Sequence, residues 1–104
     1  MIFLILYPYQ VPLDQSVVDE TYRIKMLDPR WKLKRESILK RDEYKCRNCS
    51  SVWHLQVHHR QYLYLKKINV FKDPWDYRDD LLITICRHCH IKGHQLYKIP
   101  IKYI

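Results

Sequence analysis

Four cysteines in two tight pairs, Cys46-x-x-Cys49 and Cys86-x-x-Cys89, constrain this chain more than any other feature. Each C-x-x-C turn can aim two sulfurs at one point, and two such turns supply the ligands of a tetrahedral ion. A redox C-x-x-C normally occurs once, within a thioredoxin-like βαβ pattern that is absent here. The spacing therefore points to a structural Zn²⁺ that draws the middle of the chain against its last third. Disulfides are the competing use of four cysteines, and a reducing intracellular setting disfavours them. That setting is the expected one. The opening MIFLILY is apolar but short, lacks a basic leader and runs into PYQVP without a small-residue cleavage site. No stretch reaches the roughly 18 apolar residues of a membrane span, so no membrane is expected.

The 104 residues fit one small domain, near the lower end of what a single core stabilises alone. Residues 1–15 read as an extended segment broken by Pro8 and Pro12. Val18, Tyr22 and Met26 then recur at helical spacing over residues 16–27. Asp28 is a good N-cap and Pro29 suits the first helical position, so a second helix should run to about Asp42, with Trp31, Ile38 and Leu39 inward. WHLQVHH reads as a strand with Leu55 and Val57 on one face, and LLITI as a short buried strand. Between them lies a long aromatic and basic connection, residues 61–80. HIKGHQLYK should be helical despite Gly93, and the strand-like tail YKIPIKYI is expected to pair with the N-terminal segment.

Six histidines are many for so short a chain. His90 and His94 are four apart on the expected helix, so both rings leave one face and can share a metal ion. The thiolates are committed to the other knuckle, which leaves two separate ligand sets: four sulfurs and a group of imidazoles. His58 and His59 are adjacent on a strand, where neighbouring side chains point to opposite faces. One of them can complete a three-imidazole site with open positions, and the other is left beside the metal to move a proton. His54 and His88 fit neither set and are expected at the surface.

Nineteen Lys and Arg against eleven Asp and Glu give a formal charge of +8, a field that attracts a polyanion. Nucleic acid is the commonest such partner and an anionic membrane the next. Lys32, Lys34, Arg35, Lys40 and Arg41 on the second helix are read chiefly as a solvated face.

The Cys46/Cys49 knuckle, LQVHH, LLITIC and CRHCHIKGH, in that order and spacing, resemble the HNH (ββα-metal, His-Me finger) endonucleases. The subgroup is the zinc-containing one with two C-x-x-C pairs. The helix WKLKRESILKRDEYKC before the first knuckle and the PWDY element between the strands are similar to segments of such proteins. The resemblance spans about residues 28–97. It implies an α+β chain: a single nuclease domain over 1–104, with 1–27 as an N-terminal extension carrying helices, 28–97 as the ββα-metal core, and 98–104 as a tail. It implies further that His59 is the general base, and that His58, His90 and His94 hold a catalytic Mg²⁺, Mn²⁺, Ni²⁺ or Zn²⁺. Cys46, Cys49, Cys86 and Cys89 would hold the structural zinc. The substrate would be double-stranded DNA, contacted by Arg60, Arg87 and Lys92, in the cytoplasm of a bacterial or phage-infected cell. A homodimer or a protein partner is compatible with so small a chain. One position departs from the pattern: the family's middle Asn, which steadies the general base, falls at Leu81, with Asp80 before it. The alternative reading is a non-catalytic zinc module that binds nucleic acid.

Overall fold

The computed structural model describes residues 20–96 and 98–104. The first helix, α1, covers Glu20–Lys25, with Arg23 and Lys25 in its last turn, where they complement the helix dipole. The Asp28 carboxylate then accepts the Arg30 amide at 2.8 Å, Pro29 takes the first helical position, and α2 runs Pro29–Arg41. It buries Trp31, Ile38 and Leu39, as the periodicity requires. The chain leaves α2 through Glu43 and Tyr44, both left-handed at φ 57° and 54°. The Tyr44 amide reaches back to the Leu39 carbonyl at 2.9 Å, closing the helix end without a glycine.

Strand β1 is Leu55–His59 and the last buried strand, Leu82–Cys86, pairs antiparallel with it. Leu55, Val57 and His59 share a face with Cys86, Thr84 and Leu82, and Gln56 and His58 share the other with Ile85 and Ile83. Val57 and Leu82 pack with Trp31, Ile38 and Leu39 of α2. Ile85 packs instead with Cys46, Cys86 and Cys89. Leu82–Cys86 is buried throughout because both its faces are covered, which is why LITIC reads as an unbroken apolar run. The chain passes from Cys86 into a ten-residue helix, Arg87–Leu96, with no intervening loop.

The region expected to be a plain connection is more ordered than that. Tyr62–Leu65 forms β2 and Val70–Phe71 forms β3, an antiparallel hairpin whose turn places Asn69 at φ 55°. A 3₁₀ turn over Asp79–Leu81 then delivers the chain to Leu82–Cys86, which becomes β4, followed by α3 over Arg87–Leu96. The tail forms β5, Ile101–Tyr103, and pairs in parallel with β2. Tyr22, Tyr62, Phe71 and Ile99 make the core under this second sheet. The expected pairing of the tail with the N-terminal segment, and the expectations for residues 1–19, lie outside the described residues. The architecture is thus mixed α+β, with a two-stranded ribbon between α2 and α3 and a three-stranded sheet beside it.

A buried carboxylate fixes the ribbon to α2. Asp42, with a fully buried side chain, receives Arg41 through two bonds of 2.9 Å, Arg47 at 2.8 Å and the Thr84 amide of β4 at 2.9 Å. The Arg47 amide returns the contact to the Thr84 carbonyl at 3.0 Å. The outer edge of β4 is therefore closed by side chains and loop backbone rather than by another strand.

Candidate metal centre and histidine cleft

The two knuckles converge as their spacing requires. The sulfurs of Cys46, Cys49, Cys86 and Cys89 all lie within 4.8 Å of one another, and none is in a disulfide. Thiolates around a zinc-sized ion at about 2.3 Å would sit roughly 3.8 Å apart, and the Cys49 and Cys86 sulfurs are 3.6 Å apart. The tetrad can hold a metal ion. The first turn is built by the Cys46 amide bonding to the Ser51 carbonyl and the Ser50 amide to the Cys46 carbonyl, with Ser50 at φ 67°. The second turn is the start of α3, whose Cys89 amide points at the Cys86 sulfur at 3.4 Å. Asn48 adds a side-chain N–H to the Cys89 sulfur at 3.2 Å. Burial alone would raise the Cys46 thiol, but amide bonds from Cys86, Cys49 and Asn48 outweigh it and bring it down to about 7. Burial pushes the Cys86 thiol up and the Cys89 thiol up to about 12, so deprotonation of these two would fall to a bound ion.

The adjacent histidines of β1 go separate ways. His58 turns toward α3, where its ring lies 4.1 Å from that of His90, centroid to centroid. Both rings are buried, His90 completely. His58 Nε2 donates to the Gln56 side-chain oxygen at 3.0 Å, a same-face neighbour two residues back, so its lone pair is on Nδ1. His94 follows one turn after His90 in α3, and its side chain is outside what the structure describes.

His59 faces α2 instead. It is stacked against Trp31 and Tyr62, at 5.2 Å from each, with the edge of Tyr77 at 4.6 Å, and is only 2% exposed. Its Nε2 donates to the Pro74 carbonyl at 2.9 Å, which leaves Nδ1 as the proton-accepting nitrogen. Burial pulls this imidazole down to about 4, against a small upward pull from the Pro74 carbonyl. It is therefore neutral near pH 7. His58 and His59 nevertheless meet at the unpaired edge of β1. A cavity of about 200 Å³ there is lined by Met26, Trp31, Arg35, Gln56, Val57, His58, His59 and Tyr62.

Leu81 packs against the cluster of Trp31, Val57 and Tyr77, and its carbonyl accepts the Arg60 amide at 2.7 Å and ties down the end of β1. Asp80 is engaged by Arg78 and does not reach His59. The carbonyl that orients His59 comes from the PWDY element, whose Tyr77 hydroxyl also accepts the Leu63 amide at 3.0 Å. Arg87 and Lys92 are exposed on α3, Arg60 is half-buried, and His54 and His88 are at the surface. Gln56, Tyr62 and Pro74 went unassigned in the sequence, although PWDY stood out there, and Trp31 was read only as a core residue of α2. Comparison with protein-family models, curated proteins and solved structures found no match to this chain.

Proposed function

We propose that the chain is an HNH-type, metal-dependent endonuclease that hydrolyses phosphodiester bonds in double-stranded DNA. The observation that carries this reading is the pairing of the His58 and His90 rings where the β1–β4 ribbon runs into α3, with His59 next along β1. The order hairpin then helix is that of a ββα-metal core, and the cysteine tetrad supplies the site for a structural zinc. His58 and His90, with His94 one turn on, would hold the divalent ion. When bound, it supplies Lewis-acid polarisation of the scissile phosphate and stabilises the departing 3′-oxygen. Three neutral imidazoles suit a transition metal better than Mg²⁺. Gln56 orients the first of these ligands through its bond to Nε2. His59, locked by the Pro74 carbonyl, offers Nδ1 to take a proton from the attacking water in the cavity at the β1 edge. Arg35 lines the same cavity and places a positive charge where a phosphate would enter.

The near-complete burial of His59 favours a second reading, in which it is an aromatic-core residue and the chain a non-catalytic zinc module that binds nucleic acid. Supercoiled plasmid incubated with the protein and Mg²⁺, Mn²⁺, Ni²⁺ or Zn²⁺ decides between them. The nuclease nicks or linearises the plasmid with at least one ion, and His58→Ala abolishes cutting. His59→Ala slows it by about 10²–10⁴-fold. A wild type that cuts with no ion sinks the enzyme, and a His59→Ala variant that cuts at the wild-type rate sinks the general-base role.

A further inference from the structure

On the opposite edge of the β1–β4 ribbon, Arg41, Arg47 and Arg60 line a second cavity of about 210 Å³, with Asp80, Leu82 and Ile83. The three guanidinium groups arrive from three places: the end of α2, the first knuckle and the residue after β1. One buried carboxylate, Asp42, faces them, and Asp80 is matched by Arg78, so two positive charges are left over. Arg41 is fully committed to Asp42 and to the carbonyls of Asp79 and Leu82. Arg47 gives Asp42 one contact through Nη1 and keeps a side chain 52% exposed. Among the described residues Arg60 has no carboxylate partner.

An unanswered arginine beside two that a buried aspartate holds in place is an arrangement suited to an oxyanion with several acceptor oxygens. Guanidinium forks engage phosphate two bonds at a time, and groups already fixed lose little entropy on binding it. The cavity is separate from the one at the histidines, but the β1–β4 register connects the two. Ile83, on its wall, pairs in register with His58, and Arg60 lies two residues beyond His58 along the same chain direction.

We infer that this cavity binds a backbone phosphate of the nucleic acid, distinct from the phosphate at the histidines, with Arg60 and Arg47 as its ligands. The site sets the path of the strand across the ribbon, from one edge to the other. This rests on the nucleic-acid reading above, though not on catalysis.

The test uses the full chain with its bound metal. Inorganic phosphate should move the Nε–Hε resonances of Arg47 and Arg60 saturably in ¹⁵N spectra. Fluorescence anisotropy of a 16-base-pair duplex over a salt series should show Arg60→Gln binding several-fold more weakly. Its log–log salt slope should be shallower by about one than that of the wild type. Because Arg60 has no carboxylate partner to abandon, its melting temperature should stay at the wild-type value. Unmoved arginine resonances, or an unchanged salt slope, overturn the site. A glutamate-rich peptide that shifts these resonances at lower concentration than the duplex overturns the nucleic-acid assignment. Plasmid cutting with an unchanged Arg60→Gln slope would remove this site and leave the nuclease standing. Duplex binding that weakens in Arg60→Gln, by a protein that cuts nothing, would do the reverse.

Discussion

His59 shows how one residue's environment decides its chemistry. An imidazole in water titrates near 6.5, whereas this one, enclosed by Trp31, Tyr62 and Tyr77, is held at about 4. Between those values the unfolded chain takes up a proton that the folded chain refuses. Stability should therefore fall as pH drops from about 6.5 toward 4, by up to about 3 kcal/mol. Urea denaturation across that window checks it against His59→Phe, which keeps the ring stack and removes the titrating group. Acid loss of any metal held by the cysteine tetrad would be common to both proteins, so the slope unique to the wild type is the His59 contribution. Identical slopes would mean that His59 is not buried as described. Its partner residue was hard to read from sequence. Adjacent strand positions imply opposite faces, but which face meets α2 and which meets α3 depends on the helices, not on β1.

At the scale of elements, the ends of α2 and β4 are joined by Asp42. Burial would raise its carboxyl, yet the bonds from Arg41, the Thr84 amide and Arg47 hold it at about 2, against an ordinary 3.8. Asp42→Asn should cost about 3 kcal/mol near neutral pH, because two arginines and a strand amide lose a charged acceptor. The depressed carboxyl stabilises the fold above about pH 3.8 and loses that effect as pH falls through about 2, so the gap between variant and wild type should close in acid. Chemical denaturation at pH 7 and pH 2.5 measures both values. A variant as stable as wild type at pH 7 would show that the bolt carries no load. Helix α2 itself was legible from its start, through Asp28 and Pro29, and from its three inward residues. Its end was legible only in position. The Asp42 network joins residues up to 42 positions apart, and no local pattern announces such a contact. The β2–β3 hairpin was missed for a related reason: its strands of four and two residues are too short for periodicity to register, and β2 is completed by the distant tail.

For the molecule as a whole, the cysteine tetrad stands where a larger core would otherwise be needed. Its sulfurs tie the first knuckle to the start of α3 and share a cluster with Ile85 of β4. Protein purified without added metal should carry about one zinc per chain. Stripping it with a chelator, or Cys46→Ser, should unfold the ribbon and α3 as a unit, since binding energy at such a site is folding energy. Circular dichroism and metal analysis of the same sample provide the check, and a folded, metal-free wild type would refute it.

The amino-acid sequence by itself determined the pieces whose causes are local: the capped α2, the apolar run of β4 and two C-x-x-C turns. It also determined that four sulfurs would converge, since two C-x-x-C pairs have few other uses in a chain with no thioredoxin-like pattern. The family resemblance already grouped His58 with His90, but only the tertiary structure decided which helix each face of β1 meets, which carbonyl orients His59 and where three arginines gather. Those outcomes depend on which elements cover each face and edge of a two-stranded ribbon. That is a property of long-range packing, and no short stretch of sequence carries it.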